Sequence, residues 1–121
     1  MKLTPFGESA RVLRIKHGIS LKQMAEHMSI SSAYLSSIEF GEKRLAQKHI
    51  DAALAFFKDK VSADQLHDLR IAAEQSKQII DTSGLSADAR GLVSAFARRL
   101  QEGDAPNIEI MSWLNNRSSK D

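Results

Sequence analysis

Cysteine is absent from this 121-residue chain, proline occurs twice and glycine six times. Without cysteine there is no disulfide scaffold and no thiolate metal site. Aromatic residues are scarce, at 6%. No stretch alternates apolar and polar positions with β-branched residues, so strands are not expected. The longest wholly apolar run, Ala52–Phe57, is far too short to span a membrane. The opening Met1-Lys2-Leu3-Thr4-Pro5 lacks the apolar core of a signal peptide, which makes a cytoplasmic protein the expectation. The length is too small for a TIM barrel or a full dinucleotide-binding enzyme, and fits one compact domain with or without an extension. At 42% apolar and 26% charged, the composition is that of an ordinary globular chain.

The net charge of +2 conceals an asymmetry. Residues 1–60 hold ten Lys/Arg against six Asp/Glu, a net +4, while residues 61–121 hold seven against nine, a net −2. A basic half joined to a mildly acidic one fits a polyanion partner for the first, although an ordinary solvated surface produces the same imbalance.

Helical periodicity fills the chain. Phe6, Ala10 and Leu13 repeat at helical spacing up to His17-Gly18, a cation followed by a helix-ending glycine. Ser20 stands three residues before Gln23, the pattern of a capping box, and opens a helix with Leu21, Met24, Ala25 and Met28 on its apolar face. After Ser29-Ile30, Ser31 caps a third helix carrying Tyr34, Leu35 and Ile38 and ending at Phe40-Gly41. A fourth runs from about Gln47 to Lys58. Ser62 with Gln65 opens a fifth, expected from Ala63 to about Ile80, with Leu66, Leu69, Ala73 and Ile80 apolar. Asp81-Thr82-Ser83-Gly84 reads as a linker. Ser86 caps a sixth, Ala87 to about Gln101, and Pro106 is expected to open a last short helix through Ile108, Met111, Trp113 and Leu114. Asn115–Asp121 reads as a frayed tail.

The second and third of these helices are short and separated by a three-residue turn, with the small Ala25 where two steeply crossing helices touch. That is the shape of a helix-turn-helix. On spacing alone it is equally the shape of any αα-hairpin.

The residues themselves carry a resemblance. Gly18-Ile19-Ser20-Leu21-Lys22-Gln23-Met24-Ala25-Glu26-His27-Met28, the turn after it, and Ser31-Ser32-Ala33-Tyr34-Leu35-Ser36-Ser37-Ile38-Glu39-Phe40-Gly41-Glu42-Lys43-Arg44 closely resemble the Cro/CI-type (XRE-like) helix-turn-helix domains of phage repressors and bacterial regulators, with Leu13-Arg14 upstream in register. The resemblance covers residues 6–57. It implies an all-α fold: a five-helix DNA-binding domain, set here at residues 1–60, followed by a helical C-terminal oligomerisation or partner region, residues 61–121. It further implies a homodimer on double-stranded DNA and a bacterial or phage origin.

Matched position by position, the resemblance turns Ser32, Ala33, Ser36 and Ser37 toward base edges. It places Ser20, Lys22, Ser31, Tyr34, Lys43, Arg44 and Lys48 at phosphates, where helix N-termini and cations favour anions. It makes Arg14 and Glu39 a partly buried ion pair tying the first helix to the third. Two positions depart from the family pattern. Leu21 stands where many members have a phosphate-touching Gln. The base-facing set also offers no bidentate Arg–guanine or Gln–adenine contact, so specificity is expected to lean on water, DNA shape and dimer spacing.

In the acidic half, Leu92, Val93, Phe96, Ala97 and Leu100 have the spacing of a helix–helix seam. Dimerisation is the expected use; packing onto the helix at 63–80 or onto the N-terminal domain is the alternative. Leu66, Leu69, Ala73 and Ile80 are candidates to join the seam, and Trp113 is expected to anchor that core. His17, His27, His49 and His67 have no metal-ligand spacing. No Gly-rich phosphate loop is present, and no serine has a credible base beside it. No cofactor and no enzymatic activity are expected. The function expected is a dimeric repressor on an inverted-repeat operator; the alternative is an antitoxin whose C-terminal half sequesters a toxin or other protein partner.

Overall fold

Local side-chain caps set most helix starts. In the computed structural model, which describes residues 2–116, α1 spans Pro5–His17. Thr4 Oγ1 accepts the Gly7 amide at 3.1 Å, and Pro5 stands at the first position, where a missing N–H costs nothing. Gly18 ends the helix in the left-handed region (φ 64°), which glycine adopts without strain. In α2, Leu21–His27, Ser20 and Gln23 exchange both capping-box bonds, at 3.0 and 2.8 Å. In α3, Ser32–Glu39, Ser31 Oγ accepts the Tyr34 amide at 3.0 Å. Among the described residues Ser29, in the turn between them, is the non-glycine residue held at positive φ (61°), the geometry that reverses the chain into α3. Then come α4, Gln47–Phe57, and α5, Ala63–Ser76, whose start is again a reciprocal box, Ser62 with Gln65.

These five helices make the first of two compact units, which runs to Ile80. Helix α1 lies against α3 and α5, α2 against α3 and α4, and α4 against α5. The core holds Phe6, Ala10 and Leu13 of α1, Met24 and Ala25 of α2, Leu35 and Ile38 of α3, Ile50, Leu54 and Phe57 of α4, and Leu69 and Ala73 of α5. Helix α5 supplies core side chains to this unit. Leu69 and Ala73 are consumed there and Leu66 packs half-buried on the same core, so they do not extend an α6 seam.

Helix α5 stops at Ser76, a turn short of Ile80, for a tertiary reason. Ser76 Oγ donates to Ala72 O at 2.8 Å and accepts the Phe6 amide at 2.9 Å. Lys77 then turns to extended backbone and its Nζ donates to Gln47 Oε1 at 2.9 Å. The end of α5 is thus fastened to the starts of α1 and α4, and Ile80 lies exposed beyond it.

The second unit begins at Asp81. It contains α6, Ala87–Gln101, capped by Ser86, and α7, Ile108–Asn115. Asn107 Oδ1 caps α7 by accepting the Ile110 amide at 2.9 Å, so Pro106 precedes the cap instead of opening the helix. No residue of α6 or α7 is buried. Trp113 is 77% exposed within its own chain, one of several large apolar side chains on a helix that buries none. Asn115 closes α7; residues 117–121 of the expected tail lie outside the described residues. Helices are the only regular elements among the described residues, so the fold class is all-α.

Candidate nucleic-acid interface

Helix α3 divides cleanly by chemistry. Leu35, Ile38 and Glu39 turn inward and are essentially inaccessible. Ser32, Ser36 and Ser37 are half-buried and Ala33 exposed, so the expected base-facing set shares the part of α3 that the core leaves uncovered. Tyr34 is exposed too, its ring tilted against the His49 ring at 5.9 Å. Ala25, 1% exposed, lets α2 and α3 approach, and its carbonyl accepts the Ile30 amide at 3.0 Å, which fixes the turn.

The loop after α3 is bound to the helix that precedes it. The Ser37 carbonyl accepts the amides of Glu42 and Lys43 at 2.8 and 3.2 Å. Lys43 and Arg44 therefore leave the C-terminal end of α3 in a defined direction, both exposed, as are Lys22 and Lys48. Ser20 and Ser31 spend an oxygen lone pair on their caps and keep a hydroxyl proton for donation. The Ser20 amide is taken by Gln23 Oε1 and does not face an anion. Leu21 packs half-buried on the core, an apolar role in place of a phosphate contact.

The geometry brings Arg14 and Glu39 together as a two-pronged pair: Nη1 to Oε2 at 2.6 Å and Nη2 to Oε1 at 3.1 Å, both side chains buried. Sequence reasoning missed the residues around it. Arg11 Nε adds a third bond to Glu39 Oε1 at 3.3 Å, and the Thr4 amide and hydroxyl both donate to the Glu39 carbonyl. Gly7 lies directly against the same carbonyl. A glycine inside an otherwise unbroken helix was the available signal for that close approach.

His49 was also missed as anything but a rejected metal ligand. Helix α4 begins at Ala46, which has no capping oxygen, and His49 Nδ1 instead accepts the Ala46 amide at 3.2 Å. Only the neutral ring accepts there. Burial, with the charges of Lys48 and Arg44 beside it, lowers the His49 pKa below the usual 6.5. The unfolded chain therefore binds a proton at a higher pH than the folded one. This contribution to stability is complete above pH 6.5 and is lost as pH falls from there through the lowered folded value. His49→Gln keeps an acceptor at this position and does not titrate. Urea midpoints compared at neutral and mildly acidic pH should fall less steeply for it than for the parent; equal slopes would assign the loss to other groups.

Among the described residues no group of His, Asp and Glu side chains is placed to hold a metal ion, and no helix is long and apolar enough to cross a membrane. No curated protein and no solved structure matches the chain. The family model described as helix-turn-helix matches residues 11–60, the segment from the middle of α1 to just past α4. The matched segment is thus similar to the helix-turn-helix family, and it holds α2, α3 and the exposed Lys43–Arg44 loop.

Proposed function

We propose that the protein is a sequence-specific repressor, cytoplasmic and non-enzymatic, that acts as a homodimer on an inverted-repeat operator and regulates its own gene. The observation that supports this best is the uncovered polar side of α3 next to the exposed Lys43–Arg44 loop, held there by the Ser37 carbonyl. In this reading α3 enters the major groove with Ser32, Ala33, Ser36 and Ser37 toward base edges. Ser20, Lys22, Ser31, Tyr34, Lys43, Arg44 and Lys48 meet phosphates on either side. Half-site centres then lie one turn apart, roughly 34–36 Å. With small hydroxyls in place of bidentate readers, discrimination comes through water and DNA shape. Residues 92–100 of α6 join the two copies.

Footprinting on the DNA upstream of the gene tests the reading: a protected, salt-sensitive inverted repeat supports it, and the absence of any enriched site sinks it. Lys43→Glu with Arg44→Glu should weaken binding to every sequence alike. It should also reduce the salt slope by about one unit per cation, about four for a dimer. An unchanged slope removes the loop from the interface.

The bare apolar side chains of α6 and α7 favour one second reading, an antitoxin whose C-terminal half covers them with a toxin and uses DNA binding for autoregulation. Copurification of a stoichiometric partner is its signature.

A further inference from the structure

We propose that α6 pairs antiparallel with α6 of a second copy, and that this pairing orders the unit that carries it. The proposal rests on the dimeric reading above and gives it a face and a direction. The second unit has no buried side chain among its described helices, yet Leu92 is 73% and Leu100 49% exposed. Fixing each residue's backbone costs conformational entropy, which a folded unit offsets by burying apolar surface. This unit has the apolar stripe and lacks the cover. Helix α6 has 15 residues, about 22 Å of seam.

Charge decides both the occupant and its direction. Asp88 is the one acidic residue of α6, and Arg99 lies eleven residues on. That is about three turns, so the two share a flank of the stripe. In an antiparallel pair each flank faces the same flank of its partner, read in reverse. Asp88 of each copy then meets Arg99 of the other, twice over by symmetry. The opposite flank carries Arg90, Ala97 and Gln101 and no acid. A parallel pair, which sets unlike flanks together, therefore gives Arg99 no anion on α6 and aligns the helix dipoles unfavourably. The antiparallel register centres between Val93 and Ser94, which lays Phe96 over Ala89 and Val93 of the other copy, large against smaller side chains. Arg99 Nε holds Asp104 at 2.7 Å within its own chain, but both side chains of that pair are more than half exposed. Such a pair contributes little and is readily exchanged.

The test uses the full chain in sedimentation equilibrium. Asp88→Arg and Arg99→Asp should each weaken self-association roughly tenfold, by setting like charges face to face. The double variant Asp88→Arg/Arg99→Asp should recover it, because the pairs reform with their signs reversed. The cysteine-free background permits a second measurement. Ala89→Cys and Leu100→Cys should form an intermolecular disulfide when mixed and not when each is alone, since only the mixed pair comes within bonding reach. Self-crosslinking of each variant alone would mean a parallel pair and overturn the proposal. Phe96→Asp should give monomers with reduced helicity. If Phe96→Asp abolishes the dimer but the double charge variant fails to recover it, the antiparallel arrangement is wrong and the dimeric reading stands. If the dimer survives Phe96→Asp, the α6 seam itself is wrong.

Discussion

Arg14→Ala is expected to destabilise the first unit by about 3–5 kcal/mol, read from urea or thermal unfolding. Glu39 is fully buried, and Arg14 supplies two of the three side-chain bonds that its carboxylate receives. Removing the arginine leaves an ion inside the protein with one partly exposed partner, Arg11, at 3.3 Å. An uncompensated buried charge is costly because its desolvation is no longer offset. The same logic fixes the controls. Arg11→Ala should cost under about 1 kcal/mol, since that side chain is more than one-third exposed and screened by solvent. Arg14→Met with Glu39→Leu should recover much of the loss, because replacing both members of a buried pair by apolar groups is often near neutral. Below its unfolding transition Arg14→Ala should keep the parent's DNA sequence preference, since Arg14 lies inside the helix packing. A loss below about 1 kcal/mol would mean that the pair is dispensable.

Why the pair sits where it does explains how much was legible beforehand. Helix starts were readable because caps are local: Ser20 with Gln23, Ser62 with Gln65, and Ser31 and Ser86 each act within one turn. The end of α5 was not readable, because Ser76 stops there through a bond to Phe6, 70 positions away in the chain. For the same reason the first unit extends past residue 60: the pattern of α5 shows that it has an apolar face, not which helix covers it. Trp113 shows the limit of the rule that large apolar residues are buried, for α7 presents Ile108, Met111 and Trp113 alike to solvent. The Arg14–Glu39 pair spans 25 positions and no spacing rule reaches it; family resemblance alone pointed there. Arg11, Thr4 and Gly7 converge on Glu39 from the same helix end, and nothing local announces that they do.

The glycine among them yields the second large effect. Gly7→Ala should cost about 2–3 kcal/mol, although alanine is the better helix former by about 1 kcal/mol. A Cβ at this position would come within 2.3 Å of the Glu39 carbonyl oxygen and 2.8 Å of the Glu39 Cβ. These are backbone and near-backbone atoms, so no side-chain rotation relieves the clash. Helix α1 cannot easily withdraw either. The Thr4 amide and hydroxyl hold that carbonyl at 2.9 and 3.0 Å, and the Phe6 amide holds Ser76 at 2.9 Å. Any retreat that accommodates a methyl group stretches these bonds and pulls Arg14 off the Glu39 carboxylate. Gly91 in α6 supplies the contrast, since a Cβ there meets nothing within 4 Å. Gly91→Ala should raise helicity in circular dichroism, while Gly7→Ala lowers the unfolding midpoint. The same substitution in two helices then acts with opposite signs, because only one of the glycines is where α1 touches the C-terminal end of α3. If Gly7→Ala left the midpoint unchanged, α1 and α3 would have to sit farther apart than their shared hydrogen bonds allow.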